Sequence, residues 1–262
     1  MTRPAIVVKD IHKEFVLPQT KNSSIKHAFV NIIKRNKKTV QKVLDGVSFT
    51  VNQGDFFGVV GRNGSGKSTM LKILAGVYQP TSGSIQLHGK LTPFIELGVG
   101  FNPELSGRDN VFLNGALLGF TRKEMEAMYD EIVAFAELEP FMDQKLKNYS
   151  SGMQVRLAFS VAIKARNDIM IFDEVLAVGD EAFQRKCIDI FEQYKASGQT
   201  VVLVTHDMET VKKFCNRAVL IQDGTIIKEG DPVQVADEYS RLNQAVIDAS
   251  IDRNRQYTGE NV

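Results

Sequence analysis

Apolar residues fall into two kinds of run along this chain. Short stretches rich in Val, Ile and Phe read as strands: AIVVK at 5–9, VSFTV at 47–51, FFGVV at 56–60, DIMIF at 168–172, VVLVT at 201–205 and AVLIQ at 218–222. The last is followed by Asp223-Gly224 and TIIKEG, a hairpin signal. Between the strands at 56 and 168 the period changes. Leu113, Leu117 and Leu118 mark one helical face, and Met125, Met128, Ile132 and Phe135 recur at helical spacing on another. Strands alternating with helix-period segments build a mostly parallel sheet covered by helices, an α/β fold. The stretch from about 103 to 165 is then an inserted helical subdomain.

Two segments stand outside that plan. Residues 16–42 separate the first two strands, where a hairpin needs only a few residues, so they form an insertion. Within it Ile25, Ala28, Phe29, Ile32 and Ile33 follow an amphipathic spacing. Ser23 or Ser24 supplies the N-cap, and Lys34, Arg35, Lys37 and Lys38 favour the C-terminal end of the helix dipole. A short helix at 24–35 is expected, either at a membrane face or covering a sheet edge. The chain divides into a domain over 1–243 and a polar tail over 244–262, sparsely apolar and expected to fray.

Composition narrows the class. The 262 residues carry a formal net charge of +1, which gives no overall field for nucleic acid. Cys187 and Cys215 are the only cysteines, in no metal-ligand or redox spacing, as expected in a reducing compartment. The first residues lack the apolar core of a signal peptide, and no apolar tract approaches the roughly 20 residues needed to cross a bilayer.

The stretch GRNGSGKST supplies chemistry. Gly61, Arg62, Asn63, Gly64, Ser65, Gly66, Lys67 and Ser68 match G-x-x-x-x-G-K-[ST] after a strand and before a helix beginning near Ser68. Such a loop, continuing into Thr69, turns successive backbone N–H groups and a helix N-terminus toward phosphate oxygens. Lys67 reaches the β- and γ-phosphates and Ser68 offers a Mg²⁺ ligand, which implies ATP-type chemistry with Mg²⁺. The strand IMIF ends in Asp173 and Glu174. The first can hold the metal and the second can deprotonate a water. His206 ends VVLVT, where it could meet a γ-phosphate or orient that water.

A second serine- and glycine-rich turn, YSSGMQVR, opens a helix through Ser150, Ser151 and Gly152 and presents a positive dipole end to an anion. Together GRNGSGKST, YSSGMQVR, IMIFDE, Asp180 and VTHD resemble, in order and spacing, the ATP-binding cassette (ABC) subunits, over residues 5 to about 235. That resemblance implies a P-loop NTPase cassette: a RecA-like core, an N-terminal antiparallel β-subdomain and an inserted helical subdomain. It implies further a head-to-tail homodimer on ATP binding, in which the signature turn of one copy closes over the γ-phosphate held by the other. It places Phe15 where an aromatic stacks on adenine, a buried staple being the alternative, and Asp180 in the subunit-contact loop. Most cassettes have a Mg²⁺-touching glutamine where FIELGVGFNPEL has none. Glu96 is the nearest counterpart, for the metal or for the subunit interface.

The variable segments narrow the resemblance. DEVLAVGDEAFQRKC, ELGVGFNPELSGRDNVFLNG and the variant signature YSSGM are similar to ATPase subunits that export lipid-linked polysaccharide of the O-antigen or teichoic acid type. This implies a peripheral ATPase on the cytoplasmic face of the cell membrane. Its expected partners are two copies of an integral membrane permease holding a lipid-linked glycan, with no nucleic acid. Another exporter's ATPase, or a non-transport dimerisation switch driven by ATP, is the alternative.

Overall fold

The computed structural model describes residues 3–17, 39–94, 100–165, 167–173 and 180–258, with side chains as far as 247. Strands β1 (Pro4–Leu17) and β2 (Thr39–Asn52) pair antiparallel from Pro4↔Asn52 to Leu17↔Thr39. Residues 16, 17 and 39–42 therefore belong to the ladder, and the bounds expected for the insertion shrink to 18–38. The amphipathic helix expected there lies outside the described residues. β4 (Ser82–Leu87) joins the other edge of β1, giving an antiparallel sheet of order β2-β1-β4.

The second sheet has the order β5-β6-β7-β3-β8-β9. Its strands are β3 (Phe56–Val60), β5 (Leu91–Phe94), β6 (Ile169–Asp173), β7 (Thr200–Thr205), β8 (Arg217–Gln222) and β9 (Thr225–Gly230). All pairs are parallel except the β8–β9 hairpin. The central strands are buried on both faces, which is why FFGVV and VVLVT read as unbroken apolar runs. On one face lie the antiparallel sheet and helix α1 (Lys67–Leu74), which close a core around Phe49, Phe57, Met70 and Leu71. On the other, Phe159, Phe172, Phe183, Phe191 and Phe214 interlock.

The expected helical subdomain is present as α2 (Gly107–Leu117), α3 (Arg122–Ala136) and α4 (Ser151–Ala162). Met125 and Ile132 are buried as expected, but α2 departs from the reading of its face. It buries Gly107, Asn110, Val111 and Gly115, and Leu117 stays 64% exposed. A Cβ at Gly115 would sit 2.3 Å from the sulfur of Met125, so the glycine is what lets the two helices approach. Asn110, fully buried, accepts from Asn102 N and donates to the carbonyls of Asn102 and Ser106. α4 contributes to two cores: Leu157 and Val161 to that of the subdomain, Ala158, Phe159 and Ala162 to that under the parallel sheet.

Helices α5 (Glu181–Ser197), α6 (Met208–Phe214) and α7 (Pro232–Thr258) complete the fold. α7 continues to Thr258, so the tail expected to fray is helical over most of its length. Among the described residues no helix is long and apolar enough to cross a membrane.

Candidate nucleotide site

Strand register brings the motifs to one edge. In the order β6-β7-β3, Asp173 pairs with Val204 and Val59 also pairs with Val204, so the three strands end level. The next residues along them are Gly61 after β3, His206 after β7 and Asp173 itself closing β6. These are the carboxyl ends of an open parallel sheet, where α/β folds bind ligands.

The loop after β3 is fixed from three sides. A Cβ at Gly66, whose φ is +107°, would lie 2.7 Å from Leu44 Cδ2 and 2.9 Å from Val43 O, so the loop lies directly against β2. Ser65 N donates to Arg62 O at 3.1 Å, closing a turn. Lys67 is buried, and its ammonium donates to Gly61 O at 2.7 Å and Arg62 O at 3.1 Å, holding the charge inside the loop. Asn63, Gly64 and Ser68 are exposed, Thr69 half-buried. Helix α1 begins at Lys67 and has no side-chain cap. Ser65 Oγ is buried and has no hydrogen-bond partner among the described residues. A buried cation, an orphaned hydroxyl and an uncapped helix start suit a bound polyphosphate. The Ser68 hydroxyl and the Asp173 carboxylate are hard oxygen donors suited to Mg²⁺.

Phe15 pairs with Gln41, two residues before the Val43 that abuts Gly66, so it stands beside the cradle. Its half-buried ring meets Tyr78 edge-on with centroids 5.6 Å apart, and the Lys13 ammonium lies 5.0 Å from the Phe15 centroid. Tyr78, which sequence patterning gave no reason to single out, is thus the second aromatic of this corner. His206 is exposed, and Asp207 beside it caps α6 by accepting from Glu209 N at 3.0 Å. Ser150 caps α4 by accepting from Met153 N at 3.2 Å, which leaves its hydroxyl hydrogen for an anion. Ser151 is exposed, and a Cβ at Gly152 would meet only Ser150 Oγ, at 3.8 Å. The turn therefore faces open space. Asp180 caps α5 through Phe183 N at 2.9 Å. Glu174 and Glu96 lie outside the described residues.

One cluster was not anticipated. Arg156 of α4, 15% exposed, donates to Ala136 O at 2.9 Å and to Glu137, and its guanidinium lies 3.7 Å from the Asp180 carboxylate. Lys186 also binds Glu137. Hydrogen bonds from Lys186 and then Arg156 hold the Glu137 carboxyl below its ordinary range, against partial desolvation. The end of α3, the signature helix and the start of α5 are joined at this point. A lone arginine in YSSGMQVR carried no signal of it.

Residues 44–177 match the family model described as ABC transporter. The chain belongs to the ABC transporter family. It is 39% identical to an O-antigen export system ATP-binding protein, RfbB, of Klebsiella pneumoniae, over 91% of this chain and 98% of that one. It is 35% identical to the teichoic acids export ATP-binding protein TagH of Staphylococcus haemolyticus, over 91% of this chain and 89% of the relative. Among solved structures, a dimeric ATP-binding cassette in a post-hydrolysis state bound to ADP and phosphate is similar with a TM-score of 0.69. That likeness, at 23% identity over 87% of this chain and 98% of the other, concerns the ABC cassette fold alone.

Proposed function

We propose that this ABC protein is the ATP-hydrolysing subunit that powers export of a lipid-linked cell-surface polysaccharide through a separate membrane-spanning partner. The observation that carries the reading is the level ending of β6, β7 and β3 beside a loop that buries the Lys67 ammonium. The names of the O-antigen and teichoic acid relatives support the choice of cargo.

In this reading Gly61, Asn63, Gly64, Ser65, Gly66 and Thr69 wrap the phosphates of ATP, and Lys67 meets the charge of the terminal phosphoryl group. Ser68 and Asp173 would hold Mg²⁺, with Glu96 serving the metal or the subunit interface, and the metal would supply charge neutralisation for the phosphates. Glu174 takes the proton of the attacking water and His206 orients it. Phe15 stacks on adenine. Ser150, Ser151 and Gly152 of a second copy complete the site head to tail, with Asp180 at the contact. The assembled protein sits at the cytoplasmic face of the membrane with two copies of the permease.

The test is Glu174→Gln. General bases contribute about 10²- to 10⁴-fold, so hydrolysis falls by that order while ATP still binds and a nucleotide-bound dimer accumulates. Hydrolysis at the parental rate would remove Glu174 from the role. Co-purification with a membrane protein, and loss of surface glycan on deletion, test the cargo.

A further inference from the structure

The β8–β9 turn ends against the phosphate loop, and nothing in the generic chemistry of the site calls for it there. Gln222 pairs with Thr225, which makes Asp223-Gly224 a two-residue connection. Both have positive φ, +48° and +78°, the requirement of a type I′ turn. A hairpin alone would be content with that. Here Gly224 does more. Its N–H donates to Ser65 O at 3.1 Å, and its carbonyl accepts from Asp45 N at 2.8 Å. One residue thus binds the phosphate loop with one backbone group and β2 with the other. A Cβ at 224 would stand 2.5 Å from Val43 O and 3.0 Å from Val43 C. The contact is backbone on backbone, and only glycine permits it. A step back along β8, a Cβ at Gly61 would stand 2.3 Å from Ile221 O, so the same hairpin also presses on the start of the loop.

We infer that Gly224 is a positioning residue for nucleotide binding: it fixes the Ser65 peptide, and hence the direction of the loop's N–H groups, and locks the loop to the strand that pairs with Phe15. The inference rests on the proposed reading of this loop as the phosphate cradle. The peptide plane at Ser65 is held by its carbonyl, so its other end cannot rotate freely. The adjoining N–H groups then face the cradle before any ligand arrives, which lowers the ordering cost of binding. Through Asp45 and Val43 the same turn holds β2, and β2 pairs Gln41 with Phe15. Base side and phosphate side are thereby set at a fixed spacing by one glycine outside both motifs.

The experiment compares the full chain with Gly224→Ala and with a second variant in which residue 224 is glycolic acid, an ester that deletes the N–H and adds no atom. ATP dissociation constants are measured by calorimetry, alongside thermal unfolding and steady-state kinetics. Gly224→Ala weakens ATP binding about 10- to 100-fold, the order expected from loss of one backbone hydrogen bond to a charged phosphate. The ester weakens it about 5-fold, as loss of one hydrogen bond does. In both, KM for ATP rises while kcat at saturating ATP is retained. A merely structural role would lower the unfolding temperature and leave the affinity of the folded protein at the parental value, and that result overturns the inference. If Gly224→Ala does not fold, the ester variant decides alone. A parent chain that binds no ATP would instead remove the proposed function, a distinct outcome.

Discussion

Replacing Arg156 with Ala removes a side chain of α4 that reaches both the end of α3 and the cap of α5. Its charged hydrogen bond to Ala136 O is worth about 1.5–3 kcal/mol. The guanidinium stacked 5.2 Å from the Phe183 centroid adds about 0.5–1 kcal/mol. The carboxylates of Glu137 and Asp180 are half-exposed and recover solvation on truncation, so their ion pairs contribute only about 0.5 kcal/mol each. The sum is about 3–5 kcal/mol. For a domain of this size each kcal/mol moves the midpoint by about 2–4 °C, which gives a fall of roughly 6–20 °C by far-UV circular dichroism. Because α4 carries Ser150 at its N-terminus, turnover should fall about 10- to 100-fold through misplacement of that turn, while ATP affinity of the monomer is kept. Arg156→Lys keeps the charge and loses the planar fork, so it falls between. A midpoint within about 2 °C of the parent, with unchanged turnover, would refute the argument that these contacts are cohesive.

Phe15→Ala should weaken ATP binding by about 1–3 kcal/mol, the range of a base stacked on an aromatic ring, while Phe15→Tyr restores it; equal affinity by calorimetry would take Phe15 out of the base site. Burial pushes both the Cys187 and the Cys215 thiol up to about 12, so the native protein should be inert to Ellman's reagent at about pH 8 and release two equivalents only in denaturant. The sign for stability follows, since the unfolded thiols ionise first. The contribution of the neutral thiols is whole below the ordinary thiol range of about 8.5 and declines as pH rises from there toward 12, which thermal midpoints across that range will register.

The central strands and the phosphate loop were legible because their apolar runs and glycine spacing are dictated locally. What the sequence hid was decided by neighbours. β4, SGSIQL, has three exposed residues before and two after a half-buried Ile85 and no alternation to reveal it. β5, LTPF, holds Pro93, which only an edge strand accepts, and β5 is the edge. On α2 the leucines misled because the buried face is made of Asn110, Val111 and Gly115: a polar hub satisfied by its own loop, and a gap for Met125. At the site, Lys67, Ser68, Asp173 and His206 could be named from motif and strand end. Tyr78, Arg156 and Gly224 could not, because their roles depend on elements far away in the chain.

The double allegiance of α4 has a mechanical meaning. Leu157 and Val161 face one core and Ala158, Phe159 and Ala162 the other, so among the described residues α4 ties the helical subdomain to the parallel sheet. Any tilt of α4 moves packed aromatics with it. The C-terminal half of α4, whose Phe159 packs against Phe94 and Phe172, is the fulcrum of such a tilt, and Ser150 is the tip of the lever. A helix of 12 residues is about 18 Å long, so a tilt of about 10° carries that tip about 3 Å, roughly the length of a hydrogen bond. Small strains deep in the apolar interior are thus geared up into the presence or absence of a contact at the exposed turn.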